Sequence, residues 1–166
     1  MRATRRRLIA AAGGLLAPTG VFAQAPAPVA RTAHGSVRGY LDGGIRVFKG
    51  VRYGAPPVRF QPPAPPRPWT AIADATRHGP ASPQAGGPRD EPQSEDCLFL
   101  NVWTPGLADG GRRPVMVYVH GGAYSSGSGS APLYDGARLC RRGDVVVVTL
   151  NHRLNVFGYG FLARLA

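Results

Sequence analysis

Apolar and polar positions alternate in short bursts over residues 31–54, RTAHGSVRGYLDGGIRVFKGVRYG, on either side of Asp42-Gly43-Gly44. Alternation with a period of two, broken by a Gly-rich turn, predicts one or two small β-hairpins. Residues 95–105, EDCLFLNVWTP, read as a strand with a dense apolar face. Two later runs lose the alternation. Residues 115–119 (VMVYV) and 144–150 (DVVVVTL) are almost continuously apolar, the pattern of strands buried on both faces. Residues 133–142, between them, are expected to form a short helix. Parallel buried strands joined by a helical crossover predict an α/β sheet. Residues 55–69, APPVRFQPPAPPRPW, hold too many prolines for a helix or a central strand. They are expected to lie extended on the surface, with Phe60 and Trp69 packing onto the body of the protein. Residues 70–94 show little pattern and read as loop, and residues 109–113 as a turn.

Composition changes this picture mainly at the N-terminus. The 166 residues suffice for one domain and contain no internal repeat. The 23 Gly and 17 Pro gather in the middle third and the loops, so the remainder still reads as folded. The formal net charge is +11. Arg2, Arg5, Arg6 and Arg7 sit in a segment with the form of an export signal, and losing those four would leave +7. The other basic residues are scattered arginines with Lys49 as the single lysine, with little aromatic interleaving. That arrangement argues against a nucleic-acid surface. In residues 1–23 a cationic start is followed by an apolar stretch from Leu8, broken by Gly13, Gly14 and Pro18. The stretch is too short and interrupted to span a bilayer, so no stable membrane insertion is expected. Val21-Phe22-Ala23 suits signal-peptidase cleavage after Ala23. The TRRRLI run is also similar to a twin-arginine signal, so both bacterial export routes stay open. Export to a bacterial periplasm or beyond is the expectation. Residues 24–29 then read as an Ala/Pro linker and 30–166 as the folded part. Cys97 and Cys140 fit no metal-ligand spacing. Isolated buried thiols are the preferred reading, with pairing open in an oxidising compartment.

The candidate chemistry lies where the first continuous apolar run ends, at His120-Gly121-Gly122-Ala123-Tyr124. In open α/β sheets, reactions take place just past the carboxyl ends of strands. Glycines there let the backbone approach a ligand and aim N–H groups into one space. Two such donors on one oxygen form an oxyanion hole, and an HGGG-type loop does this in hydrolases. A His-Gly-Gly triplet by itself serves equally well as a tight structural turn.

Five stretches in order, GVRYGAPPVRF, PPRPW, SEDCLFLNVWTP, VYVHGGAYSSGS and VVVVTLNHRLNVFGYGFLA, together resemble the type-B carboxylesterase (cholinesterase-like) family. The resemblance covers nearly the whole chain after the export segment and is weak between residues 70 and 93. It implies the N-terminal portion of an α/β-hydrolase fold: small hairpins plus the first strands of the central sheet, incomplete, acting on small-molecule carboxylic esters. It also implies that the N–H groups of Gly122 and Ala123 are oxyanion donors, supported by His120, Gly121 and Tyr124. Ala123 stands where most members have Gly. The resemblance further implies a structural salt bridge between Arg59 and Glu95, and an acidic partner farther along the chain for Arg153. Asn155 replaces a usual Gly and His152 a usual Tyr. In many eukaryotic members the cysteine matching Cys97 is bridged to an upstream cysteine; no upstream cysteine exists here. The implied mechanism needs side chains and backbone donors only, hence no metal and no cofactor.

That mechanism also needs a Ser, an acid and a His, in that order. No G-x-S-x-G occurs in the sequence. The nearest imitation, Ser125 in AYSSG, lies inside the expected oxyanion loop and lacks a preceding buried strand. No catalytic residue is therefore expected within the chain; all three triad members are expected beyond Ala166. An N-terminal fragment of an exported carboxylesterase, inactive alone, is the main reading. The alternatives are a non-catalytic cholinesterase-like binding module and a nonfunctional truncated remnant.

Overall fold

The computed structural model describes residues 26–85 and 91–161. The export segment expected over residues 1–23 lies outside them. No helix among the described residues is long and apolar enough to cross a membrane.

The alternating N-terminal stretch folds into two hairpins. Strands β1 (Val29–Arg31) and β2 (Ser36–Arg38) pair antiparallel, and β5 (Ala73–Asp74) joins β2 in parallel. β1 starts at Val29, the last residue of the stretch expected as linker. Strands β3 (Tyr40–Asp42) and β4 (Ile45–Arg52) form the second hairpin around Gly43 and Gly44. Both glycines have positive φ, +52° and +85°, as the tight turn between twisted strands requires.

The main sheet has five strands in the order β3-β4-β6-β8-β7. β6 is Phe99–Thr104, β7 Val115–Val119 and β8 Val146–Leu150. β8 lies between β6 and β7, antiparallel to the first and parallel to the second. The connection from β7 to β8 is helical, as expected, but in two pieces: a 3-10 turn at Pro132–Tyr134 and α1 (Ala137–Gly143). A second short helix, α2 (Asn155–Tyr159), follows β8.

Residues of β4 alternate between the two faces of the sheet, as a pleated strand must. Ile45 and Val47 pack with Trp103, Val147, and Ala137 and Cys140 of α1. Phe48 packs on the other side with Val37 and Ala75, against which Trp69 also lies. Trp69 thus docks the end of the Pro-rich stretch, its indole N–H donating to the Ser36 carbonyl at 2.9 Å. Phe60, expected to pack as well, is 54% exposed. Cys97 and Cys140 are buried free thiols, and burial pushes both thiol pKa values up.

The burial expected of β7 is also corrected. The apolar run of β7 is not buried on both faces: all five residues are exposed, Val115, Val117 and Val119 each at 59%. Among the described residues β7 is the edge of the sheet, paired on one side alone, and the crossover through α1 covers β4, β6 and β8 instead. Continuous apolarity reports that a strand is suited to burial; it does not say which chain segment covers it.

Candidate active site

Immediately beyond β7 the chain runs through His120 to Tyr124 and leaves regular structure. Three successive residues hold left-handed backbone: Gly122 at φ +119°, Ala123 at +52° and Tyr124 at +67°. A side chain on Gly122 would place its Cβ 2.0 Å from the carbonyl oxygen of Ser126, so this position accepts glycine alone. Gly121 is different, since a Cβ there meets nothing within 4 Å. The turn closes on the Gly122 carbonyl, which accepts the N–H groups of Ser125 (3.0 Å) and Ser126 (3.1 Å). Among the described residues, the N–H groups of Gly122 and Ala123 themselves have no protein acceptor. The loop therefore presents two consecutive free backbone donors past the carboxyl end of a parallel strand.

Several side chains hold the loop, and sequence reading missed most of them. Gln84 pairs with both backbone groups of Gly127, accepting its N–H at 2.7 Å and donating to its carbonyl at 2.9 Å. Ser128, buried, donates to the Glu91 carboxylate. Behind the loop, the Asn151 carboxamide oxygen accepts the Gly129 N–H at 2.7 Å, and the Thr149 hydroxyl donates to the Gly129 carbonyl at 2.7 Å. Asn101 adds bonds to Thr149 and, at 3.3 Å, to the same Gly129 carbonyl. Asn101, Thr149 and Asn151 are all buried. Buried polar groups on or just past central strands, each with a partner, fix one loop geometry. Their signal in the sequence is a polar residue inside an apolar run, Asn101 in FLNVW and Thr149 in VVVTL.

Asn155 sits at φ +55°, a conformation Asn tolerates better than most residues. Its N–H donates to the Tyr124 carbonyl at 2.9 Å, and its side-chain amide donates to the Ser125 and Pro83 carbonyls. Asn155 thus holds the turn and clamps the loop.

His120 is buried, with Nδ1 2.9 Å from the Gly121 carbonyl. Its ring stacks on His152 at 4.4 Å and 8°. Burial holds its pKa below the usual imidazole value, and the neighbouring His152 adds to the depression. Tyr159 meets His152 edge-on and packs on Tyr124, which is largely exposed. Ser125 does not look like a nucleophile: its hydroxyl donates to the Gly122 carbonyl at 3.0 Å and has no imidazole partner among the described residues.

Arg59 and Glu95 meet in a forked ion pair, Nε to Oε2 at 2.9 Å, with the Arg side chain 65% exposed. The Arg59 guanidinium holds the Glu95 carboxyl below its usual range. The adjacent pair Arg52–Asp96, at 2.6 and 2.8 Å, gives the same strand entrance a second tie that the sequence did not single out. Arg153 donates to the Gln61 carbonyl at 2.9 Å. His34 lies near Trp69 and His78 is hydrogen-bonded to Asn101.

The loop past β7, the order of the strands and the paired entrance to β6 can be set against known proteins. The family model described as "Carboxylesterase family" matches residues 26–164. The chain belongs to the carboxylesterase family. It is 43% identical over 143 residues to para-nitrobenzyl esterase of Bacillus subtilis, covering 79% of this chain and 28% of that protein. It is 43% identical over 144 residues to phenmedipham hydrolase of Pseudarthrobacter oxydans, covering 80% and 29%. Among solved structures, a Geobacillus stearothermophilus carboxylesterase superposes with a TM-score of 0.73 at 48% identity, covering 79% of this chain and 27% of the other. The fold is thus the N-terminal portion of an α/β-hydrolase, and the chain spans less than a third of these relatives.

Proposed function

We propose that this carboxylesterase-family chain supplies the oxyanion-binding part of an ester-hydrolysing site, with the Gly122 and Ala123 N–H groups receiving the carbonyl oxygen. The observation that carries this reading is the pair of consecutive free N–H donors on a left-handed turn that accepts no side chain at Gly122. As a serine attacks an ester, the carbonyl oxygen gains negative charge, and donors already in place stabilise it without reorganising. The serine, the imidazole that takes its proton and the acid that orients that imidazole come from outside residues 1–166. The absence of a G-x-S-x-G and the engaged Ser125 hydroxyl support this. The Arg59–Glu95 pair ties the Pro-rich stretch to the entrance of β6, and the cationic, apolar start supports export.

The test compares two proteins on a p-nitrophenyl ester. The 166-residue chain alone is expected to show no turnover above buffer. The uninterrupted native reading frame, if it continues into a serine elbow, is expected to be active, and Gly122→Ala in it to lose about 10²–10³-fold in kcat. Turnover by the 166-residue chain that disappears in Ser125→Ala would overturn the assignment.

A further inference from the structure

A run of ring contacts braces the donor loop from both ends. His120 stands just before the donors Gly122 and Ala123, and Tyr124 just after them. The chain beyond β8 supplies two more rings: His152, ahead of α2, and Tyr159, its last residue. His120 stacks face to face on His152, with ring centres 4.4 Å apart and planes 8° from parallel. Tyr159 meets His152 edge-on at 6.0 Å and packs on Tyr124 at 4.6 Å. The two residues that bracket the donors therefore lean on one short segment of chain.

The His120 end has a direct route to a donor. Its Nδ1 lies 2.9 Å from the Gly121 carbonyl oxygen. A carbonyl only accepts, so the ring proton sits on Nδ1. Burial holds the imidazole pKa down, so near neutral pH the ring carries that proton alone. The Gly121 carbonyl and the Gly122 N–H belong to one planar trans peptide and point in opposite directions. Whatever fixes that carbonyl therefore fixes the donor. Gly127 packs against the same bond, since a Cβ there would collide with the Gly121 oxygen and with His120 Nδ1. His152 covers the face of the His120 ring and is itself anchored, its Nδ1 3.1 Å from the Arg153 carbonyl. We propose that His152, backed by Tyr159, is a positioning residue for ester hydrolysis: stacked on His120, it holds the Gly121–Gly122 peptide at the angle from which the Gly122 N–H donates to the substrate carbonyl oxygen.

This role rests on the ester-hydrolysing site proposed for the chain, so a structural and a kinetic readout are taken separately. In the 166-residue chain labelled with 13C and 15N, His152→Ala should move the Gly121 carbonyl carbon upfield, the direction a carbonyl takes when it loses a hydrogen bond. His152→Phe keeps a flat ring in the stack and should return that resonance toward its native position. Resonances of β4 and β6 that stay in place report that both variants are folded. In the protein of the uninterrupted native reading frame, His152→Ala should lower kcat on a p-nitrophenyl ester about tenfold with KM within about twofold, as misplacing a group that acts in the transition state does. His152→Phe should recover to within about threefold of the unaltered protein. Should His152→Ala fail to fold, Tyr159→Leu, at a half-exposed position, loosens the brace from outside and should lower kcat about threefold at an unchanged urea midpoint. A Gly121 carbonyl that stays put in folded His152→Ala overturns the role, and so does an equal loss of kcat in His152→Ala and His152→Phe, or an unchanged kcat in Tyr159→Leu. No turnover by the unaltered native-frame protein overturns the ester-hydrolase reading and this role with it, whereas turnover that His152→Ala leaves intact overturns this role alone.

Discussion

At the scale of single residues, neighbouring glycines in one motif carry different burdens. Gly121→Ala is expected to change stability by no more than about 0.5 kcal/mol, because its Cβ enters open space. Gly122→Ala drives a methyl into the Ser126 carbonyl and should both distort the donors and lower the urea midpoint. Denaturation of the two variants side by side checks the contrast. Asn155 offers a second residue-scale test. Asn155→Ala loses a residue that tolerates left-handed backbone and removes two side-chain hydrogen bonds, for a loss of about 2 kcal/mol. Asn155→Gly restores the backbone freedom but not the bonds and should recover part of that loss. His120 gives a pH dependence. Its folded pKa lies below its unfolded one, so the unfolded chain binds the proton first as pH falls. Its contribution to stability is therefore present above the unfolded value of about 6.5 and is lost as pH falls through the folded one. An NMR titration should place the His120 midpoint below 6.5, and His152→Phe should raise it by removing the stacked neighbour's charge.

At the scale of elements, the patterns that sequence shows are those a strand carries within itself. The hairpin around Gly43-Gly44 was legible because turn chemistry and alternation agree locally. The strand 99–104 and the parallel pair β7/β8 were legible for the same reason. That the chain leaves regular structure in a tight turn after β7 was legible from His120-Gly121-Gly122. What stayed hidden was everything that holds it. Gln84 reaches Gly127 from 43 positions away, and Asn101 of β6, Thr149 of β8 and Asn151 just past β8 gather on Gly129. No local pattern encodes a contact between segments so far apart. Gln84→Leu removes both bonds to Gly127 and should cost about 1–2 kcal/mol, with faster hydrogen exchange at the Gly127 amide as the specific readout. Core exchange in β4 and β6 should stay unchanged if Gln84 acts on the loop alone.

At the scale of the whole molecule, the sheet is lopsided. Among the described residues one border is the short β3, while the other is β7, five apolar residues with one backbone edge unpaired. An exposed apolar edge is a template for pairing with another chain. The 166-residue chain is expected to self-associate with rising concentration, and Val117→Lys to shift sedimentation toward the monomer. Equal association in both would show that β7 is not the sticky border.

The position of β8 between β6 and β7 also sets an order of events. β6 and β7 are close in sequence yet never touch as neighbours; each pairs with β8. During vectorial synthesis the hairpins and β6 emerge first and can zip together antiparallel, whereas β7 leaves the ribosome with nothing to join. The donor loop inherits that delay, because Gly129 is fastened by Thr149 and Asn151, which come later still. Until residues 146–151 arrive, the nascent chain holds a greasy strand and an unanchored loop, a window in which chaperone capture competes with folding.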